Sequence, residues 1–271
     1  MLKLARRYEI DVYQAVVWNY STAILLTSLL LWPRSYSLNG APWGSYITLG
    51  LLLPAIFVVL GISIKYSGIV RTEVAQRMSL LIPILAAFLF FGEHETLLKF
   101  VGILVGFIAI ILTIPRSKHS GRRSYNPIAL GCLLVVFVGF GVIDVLFKNL
   151  ATSTAVSYNT SLFYVFVLSF GFSLVGLIYQ VATGRMRFSW LHIPIGWVLG
   201  IANFGNILFY IKAHKSLASQ PSMVFSAINI GVIVLGALTG MIIFKEKLTL
   251  LNKAGIVVAI AAVVIMAYAG I

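Results

Sequence analysis

Charge is scarce in this sequence. Only 10% of its 271 residues are Asp, Glu, Lys or Arg, where a soluble domain carries roughly a quarter. Acidic side chains are the rarest, with 7 Asp and Glu against 20 Lys and Arg. So few polar groups exclude a water-soluble fold of this size. The single cysteine, Cys132, excludes an internal disulfide; set in an apolar run, it is expected as a buried thiol. No HExxH, P-loop or GxSxG occurs. The four histidines, His94, His119, His192 and His214, are scattered, without metal-ligand spacing, and are expected at the surface near loop edges. No metal or other cofactor is therefore expected, nor an enzyme, nor an ATP-driven pump in this chain alone. Residues 1–10, MLKLARRYEI, lack the long apolar core of a cleaved signal peptide.

What is present is apolar: 60% of residues are hydrophobic, and the mean hydropathy is +1.01. A membrane helix needs roughly 20 mostly apolar residues to cross about 30 Å of hydrocarbon. Nine stretches reach or approach that length: 12–32, 44–64, 72–91, 97–114, 128–147, 158–181, 193–211, 221–244 and 250–269. Helices are expected because a lone strand leaves its backbone groups unpaired in lipid. Runs such as ILVGFIAIILTI show none of the alternation of a membrane barrel. The net charge of +13 sits mainly between these runs. There it sets orientation and touches lipid headgroups; nucleic acid is excluded as a partner.

Punctuation agrees with the spans. Asp11, with Gln14 three residues on, resembles a helix start. Pro33 and Pro115 follow span ends, while Pro54 and Pro83 lie inside spans and are expected to kink or break them. The polar connection 116–127 separates residues 1–115 from residues 128–271.

The two halves repeat. EHETLLKFVGI (93–103) and EKLTLLNKAGI (246–256) share Glu, Thr, Leu, Leu, Gly and Ile at one offset of 153 residues, from Glu93 to Glu246. Earlier, Leu49-Gly50 followed by Lys65 recurs as Leu199-Gly200 followed by Lys215, at an offset of 150 residues. Lys3 and Tyr13 match Lys148 and Tyr158. The second half holds five spans and the first four, so residues 1–10 correspond to the tail of span five. A ten-helix ancestor is inferred whose first helix is missing here, with a misassigned start or a true nine-helix variant as the alternatives.

These residues resemble the EamA-type repeat of the drug/metabolite transporter superfamily. SLLIPILAAFLFFGEHETLLKFVGILVGFIAIIL is similar to its fourth and fifth helices: an apolar helix with a central Pro, then Gly-Glu, a short loop and a Gly-containing helix. FKEKLTLLNKAGIVVAIAAVVIMAY resembles it again, with Gly236 in place of Pro83 and Lys245 in place of Gly92. The resemblance implies an all-α membrane protein, nine transmembrane helices (4+5) from a ten-helix bundle of two inverted repeats. It also implies a central cavity, export or exchange of a small metabolite, and a bacterial plasma or inner membrane.

Fifteen of the twenty Lys and Arg fall on one side of the nine spans. That puts residues 1–10 and 116–127 in the cytoplasm and the C-terminus outside, whereas the resemblance implies a cytoplasmic C-terminus.

Ionisable groups inside a membrane usually face a cavity or a partner. Asp144 stands late in span five, at i−4 from Lys148; it reads as a helix-end ion pair or a solute-facing carboxylate. Glu73 and Arg77 share a face of span three and can pair, or Arg77 can meet an anionic group. Lys212 closes span seven. Asn19 and Tyr20 in span one, Asn203 and Asn206 in span seven, and Ser226 and Asn229 in span eight serve either helix packing or a polar cavity. The candidate solute-binding set is therefore Asn19, Tyr20, Arg77, Asp144, Asn203, Asn206, Ser226 and Asn229. Glu93 and Glu246 read as structural caps. Gly102 with Gly106, and Gly196 with Gly200, form GxxxG pairs that let helices approach.

The expected function is secondary transport of a small organic solute by alternating access between the repeats. A non-transporting paralogue and a membrane-embedded lipid enzyme are the alternatives. Solute and membrane lipid are the expected partners, with a homo-oligomer left open.

Overall fold

The computed structural model describes residues 11–32, 40–90, 96–113, 127–153, 156–242 and 250–269. Among them there is no strand. The helices are α1 (Val12–Leu26, prolonged by a π-helical turn Thr27–Leu31), α2 (Trp43–Ser67), α3 (Ile69–Met78), α4 (Leu81–Leu89), α5 (Leu97–Thr113), α6 (Pro127–Thr152), α7 (Tyr158–Ala182), α8 (His192–Ser216), α9 (Pro221–Ile242) and α10 (Leu250–Ala269). Six stretches are long and apolar enough to cross a membrane: Val12–Leu31, Trp43–Ser67, Arg71–Leu89, Pro127–Thr152, Tyr158–Ala182 and His192–Ser216. Shorter apolar segments, Phe100–Ala109, Pro221–Val232 and Lys253–Ala262, fall within the three remaining expected spans. This is an integral, multi-pass, all-α membrane protein.

The expected third span is broken. α3 stops at Met78 and α4 starts at Leu81. Pro83 has no N–H to give the carbonyl of Ser79. That carbonyl instead accepts from the Ile82 N–H at 3.0 Å, and Leu80 donates to Arg77 at 3.3 Å, a tightened turn. Pro54 behaves differently: α2 runs on through it. Between α2 and α3 the chain turns at Gly68, whose φ of 84° suits glycine.

The chain forms two compact units, one of residues 1–61 and 146–215, the other of residues 62–145 and 216–271. Each draws on both sequence halves. In the first unit the contacts fix the helix directions. Tyr13 Oη donates to the Ser173 carbonyl at 3.0 Å, and Asn159 Nδ2 donates to the Leu31 carbonyl at 2.8 Å, so α1 and α7 are antiparallel. Gly196 faces Ala15, Trp18 and Asn19, and Gly200 faces Asn19 and Thr22, so α1 and α8 are parallel. Tyr46 bonds Ser161 at 2.7 Å and Gly50 faces Leu168 and Phe172, so α2 and α7 are parallel. The repeat-related helices, α1 with α7 and α2 with α8, thus run in opposite directions. That is the inverted topology. Gly50 of α2 packs on α7 while its counterpart Gly200 of α8 packs on α1, one contact made twice.

In the second unit, α5 and α10 are also counterparts. A Cβ on Gly106 would lie 3.8 Å from Ala262 Cβ and 3.2 Å from Ile230 Cδ1. Ala109, Ile230, Ala259 and Ala262 form the buried cluster there, with Ile103, Val105, Met223, Val234 and Val258 packed around it. Gly106 and Ala109 correspond to Ala259 and Ala262 at the same offset of 153 residues, from 106 to 259. Small side chains at equivalent positions let the two helices close, with dispersion contacts in place of the weak apolar drive available in lipid.

Candidate solute-binding layer

α1 is the centre of the first unit. Gln14, Ala15, Val16, Val17, Asn19, Tyr20, Thr22 and Ala23 are all buried. At about 100° per residue they cover the whole circumference. A helix so enclosed can carry polar side chains that lipid-facing helices cannot.

Its ends are well satisfied. Asp11 Oδ1 accepts the Gln14 N–H at 3.1 Å, the N-cap expected from sequence. The Gln14 side chain goes elsewhere: Nε2 donates to the Arg187 carbonyl at 3.0 Å, and Oε1 accepts the Ser189 N–H at 3.0 Å. It thereby ties α1 to the connection between α7 and α8. The Asp11 N–H donates to His192 Nε2 at 3.0 Å. Lower down, Ser21 and Thr22 spend their hydroxyls on the Trp18 carbonyl at 2.7 and 3.5 Å.

The middle is different. Both polar atoms of the Asn19 amide, Tyr20 Oη and Trp18 Nε1 are buried without a hydrogen-bond partner among the described residues. So are Ser169 Oγ on α7 and Asn203 Nδ2 on α8. Asn19 is 1% exposed, Tyr20 and Ser169 0%. Trp18, Asn19, Tyr20 and Ser169 share a level, and Asn203 stands about one turn further along. The Trp18 and Phe170 rings meet at 6.4 Å, placing Ser169 opposite the Asn19–Tyr20 turn. Gly200 touches Asn19, and Asn203 follows about one turn later on α8. The level is near the midpoint of the three spans Val12–Leu31, Tyr158–Ala182 and His192–Ser216. A buried polar group left unmatched costs about 1–3 kcal/mol, and native proteins keep few of them. Here several gather in one layer.

The comparisons agree with this architecture. Residues 1–114 match the EamA-like transporter family. Over 99% of its length the chain is 37% identical to an uncharacterized protein of Haemophilus influenzae, 92% of which is covered. The chain belongs to the EamA-like transporter family. It also resembles a solved crystal structure with a TM-score of 0.68 at 16% identity, covering 96% of this chain and 87% of that one, a likeness of fold.

Of the residues singled out in this EamA-like protein's sequence, Asn19, Tyr20 and Asn203 join the layer. Asn206 is exposed. In the second unit, Ser226 is 2% exposed with an unmatched Oγ. Asn229 donates to the Phe225 carbonyl of its own helix at 3.1 Å. Arg77 pairs with Glu73 at 3.5 Å, and Asp144 is half-buried. Trp18 and Ser169 were not candidates: indoles and hydroxyls are ordinary in membrane helices, and only three-dimensional packing reveals that these lack partners.

Two expectations need correction. His192 and His214 are not surface histidines; they are 9% and 0% exposed. His192 is drawn inside by the Asp11 N–H, and His214 packs on Tyr210 with ring centroids 4.6 Å apart. Cys132 is half-buried, not buried. Glu93, Glu246, His94, His119 and most of 116–127 lie outside the described residues.

Proposed function

We propose that this chain is a secondary transporter that carries a small organic metabolite across a bacterial plasma membrane by alternating access between its inverted repeats. The observation that carries this reading is the layer of unmatched polar groups at mid-span in α1, α7 and α8. In a transporter such groups meet the solute at the bilayer midplane, where repeats adjoin. They form its binding contacts, with Asn19 at their centre. Ser226 has the same character in the second unit, and Arg77, Asp144, Asn206 and Asn229 are further proposed contacts. With no nucleotide-binding motif in the chain, the driving force is a gradient, and the chain is not an enzyme.

The test is reconstitution. Proteoliposomes holding the full chain are offered a pooled metabolite mixture, and the lumen is read by mass spectrometry. Saturable, protein-dependent uptake of at least one solute is expected. A lumen no different from that of empty liposomes would refute the reading.

A further inference from the structure

We infer that the layer formed by Trp18, Asn19, Tyr20, Ser169 and Asn203 recognises an uncharged carbonyl- or hydroxyl-bearing group of the solute. The inference rests on the transporter reading and specifies the chemistry of its binding contacts.

Trp18 Nε1 and the Asn19 and Asn203 Nδ2 groups are donors; Asn19 Oδ1 accepts; the Tyr20 and Ser169 hydroxyls do either. All are neutral. The nitrogen donors and the hydroxyls suit a ligand oxygen, and Asn19 Oδ1 suits a ligand N–H or O–H.

The helices of this unit bring no compensating charge to the layer. Residues 12–31, 43–61, 158–182 and 193–211 contain no Asp, Glu, Lys or Arg. These stretches are the mid-span parts of α1, α2, α7 and α8 within the first unit. Among the described residues, its Asp, Lys, Arg and His stand at or beyond the span ends. Lys212 and His214 follow Gly200 by twelve and fourteen residues, about 18–21 Å along the helix. Lys148 adjoins Phe147, whose ring meets Tyr210 at 6.1 Å, ten residues beyond Gly200. Asp11 precedes Asn19 by eight residues, about 12 Å.

The termini of α1, α7 and α8 are remote too. α1, α7 and α8 are continuous through the layer, so their backbone N–H groups there are committed within the helices. None of these three helices breaks to turn a positive end toward the layer, the device by which transporters hold a carboxylate without a cation. An ion brought here would be desolvated with no opposite charge on the mid-span stretches of α1, α2, α7 or α8. A neutral polar group loses far less, and gains partners that the described residues do not supply.

The experiment uses the purified full chain in detergent with matched probes: nicotinamide against nicotinate, glucose against gluconate, uracil against orotate. Binding is read by thermal shift and titrated to a Kd. At least one neutral probe is expected to bind, roughly tenfold more tightly than its anion, with the Kd rising roughly tenfold in Asn19→Leu. An anion that binds as well as its neutral partner overturns the inference. So does a neutral probe whose Kd is unmoved by both Asn19→Leu and Ser169→Ala, and so does the absence of binding by every neutral probe. Failure here is separable from failure of the transporter reading. Proteoliposome uptake left unchanged by both Asn19→Leu and Ser169→Ala would remove the neutral-group inference and leave transport standing; no uptake of any solute would remove transport itself.

Discussion

Gly200 lies against the carbonyl oxygen of Asn19: a methyl group on that glycine would come within 2.6 Å of it. The obstacle is helix backbone, which cannot rotate away. Gly200→Ala is therefore expected to lower stability by about 1–3 kcal/mol. Gly205→Ala, with nothing within 4 Å of the added carbon, is expected to be neutral or to gain up to about 1 kcal/mol in helix propensity. Thermal unfolding of the two variants in detergent checks the pair. Equal Tm values would show that α1 and α8 do not meet so closely.

Asn19→Leu is expected to separate stability from function. The buried amide is unmatched among the described residues, so an apolar side chain of similar size leaves the Tm unchanged or raises it. Solute uptake should fall roughly tenfold or more. If uptake fell only in step with the amount of folded protein, Asn19 would be a packing residue.

Gln14 holds the α7–α8 connection by two hydrogen bonds of 3.0 Å. Gln14→Leu leaves the Arg187 carbonyl and the Ser189 N–H without these partners, a loss of about 1–3 kcal/mol. Gln14→Glu keeps both bonds as the neutral acid but, as a carboxylate, buries a charge against the Arg187 carbonyl, so its Tm should fall as the pH rises. Hydrogen exchange at the Ser189 amide should quicken in Gln14→Leu and much less in Gln14→Glu.

Tyr46 and Ser161 are joined at 2.7 Å, both fully buried. Tyr46→Phe and Ser161→Ala should each destabilise by about 1 kcal/mol. The double variant should lose clearly less than the sum, because the two changes remove the same bond. Additive losses would mean that the hydroxyls act independently.

Hydropathy made the spans legible, because backbone satisfaction in lipid leaves no alternative to helices at these lengths. Pro83 announced the break before α4; Pro54 carries the same residue type inside a helix that stays whole, so proline alone does not decide. The spacing of Gly196 and Gly200 announced a close approach, though not that Asn19 receives it. Gln14 looked like a capping residue because its neighbour Asp11 is one, while its true partners are 173 and 175 residues away in sequence. Asn203 and Asn206 looked like a pair at helical spacing; one is half-buried and the other exposed, since three residues turn a helix by about 300° and need not reach the same neighbour. The unmatched state of Trp18 and Ser169 depends on what surrounds them, and composition holds no record of that.

The exchange of partners by Gly50 and Gly200 sets a schedule for the ribosome. Leu168 is made 118 residues after Gly50, and Gly200 is made 181 residues after Asn19. At roughly 5–20 residues per second, each early helix waits on the order of ten seconds for the late one it fits. Neither glycine contact can form until the second half of the chain has been made. The first unit is therefore completed late in synthesis, when its earliest helix finally meets the two that enclose it.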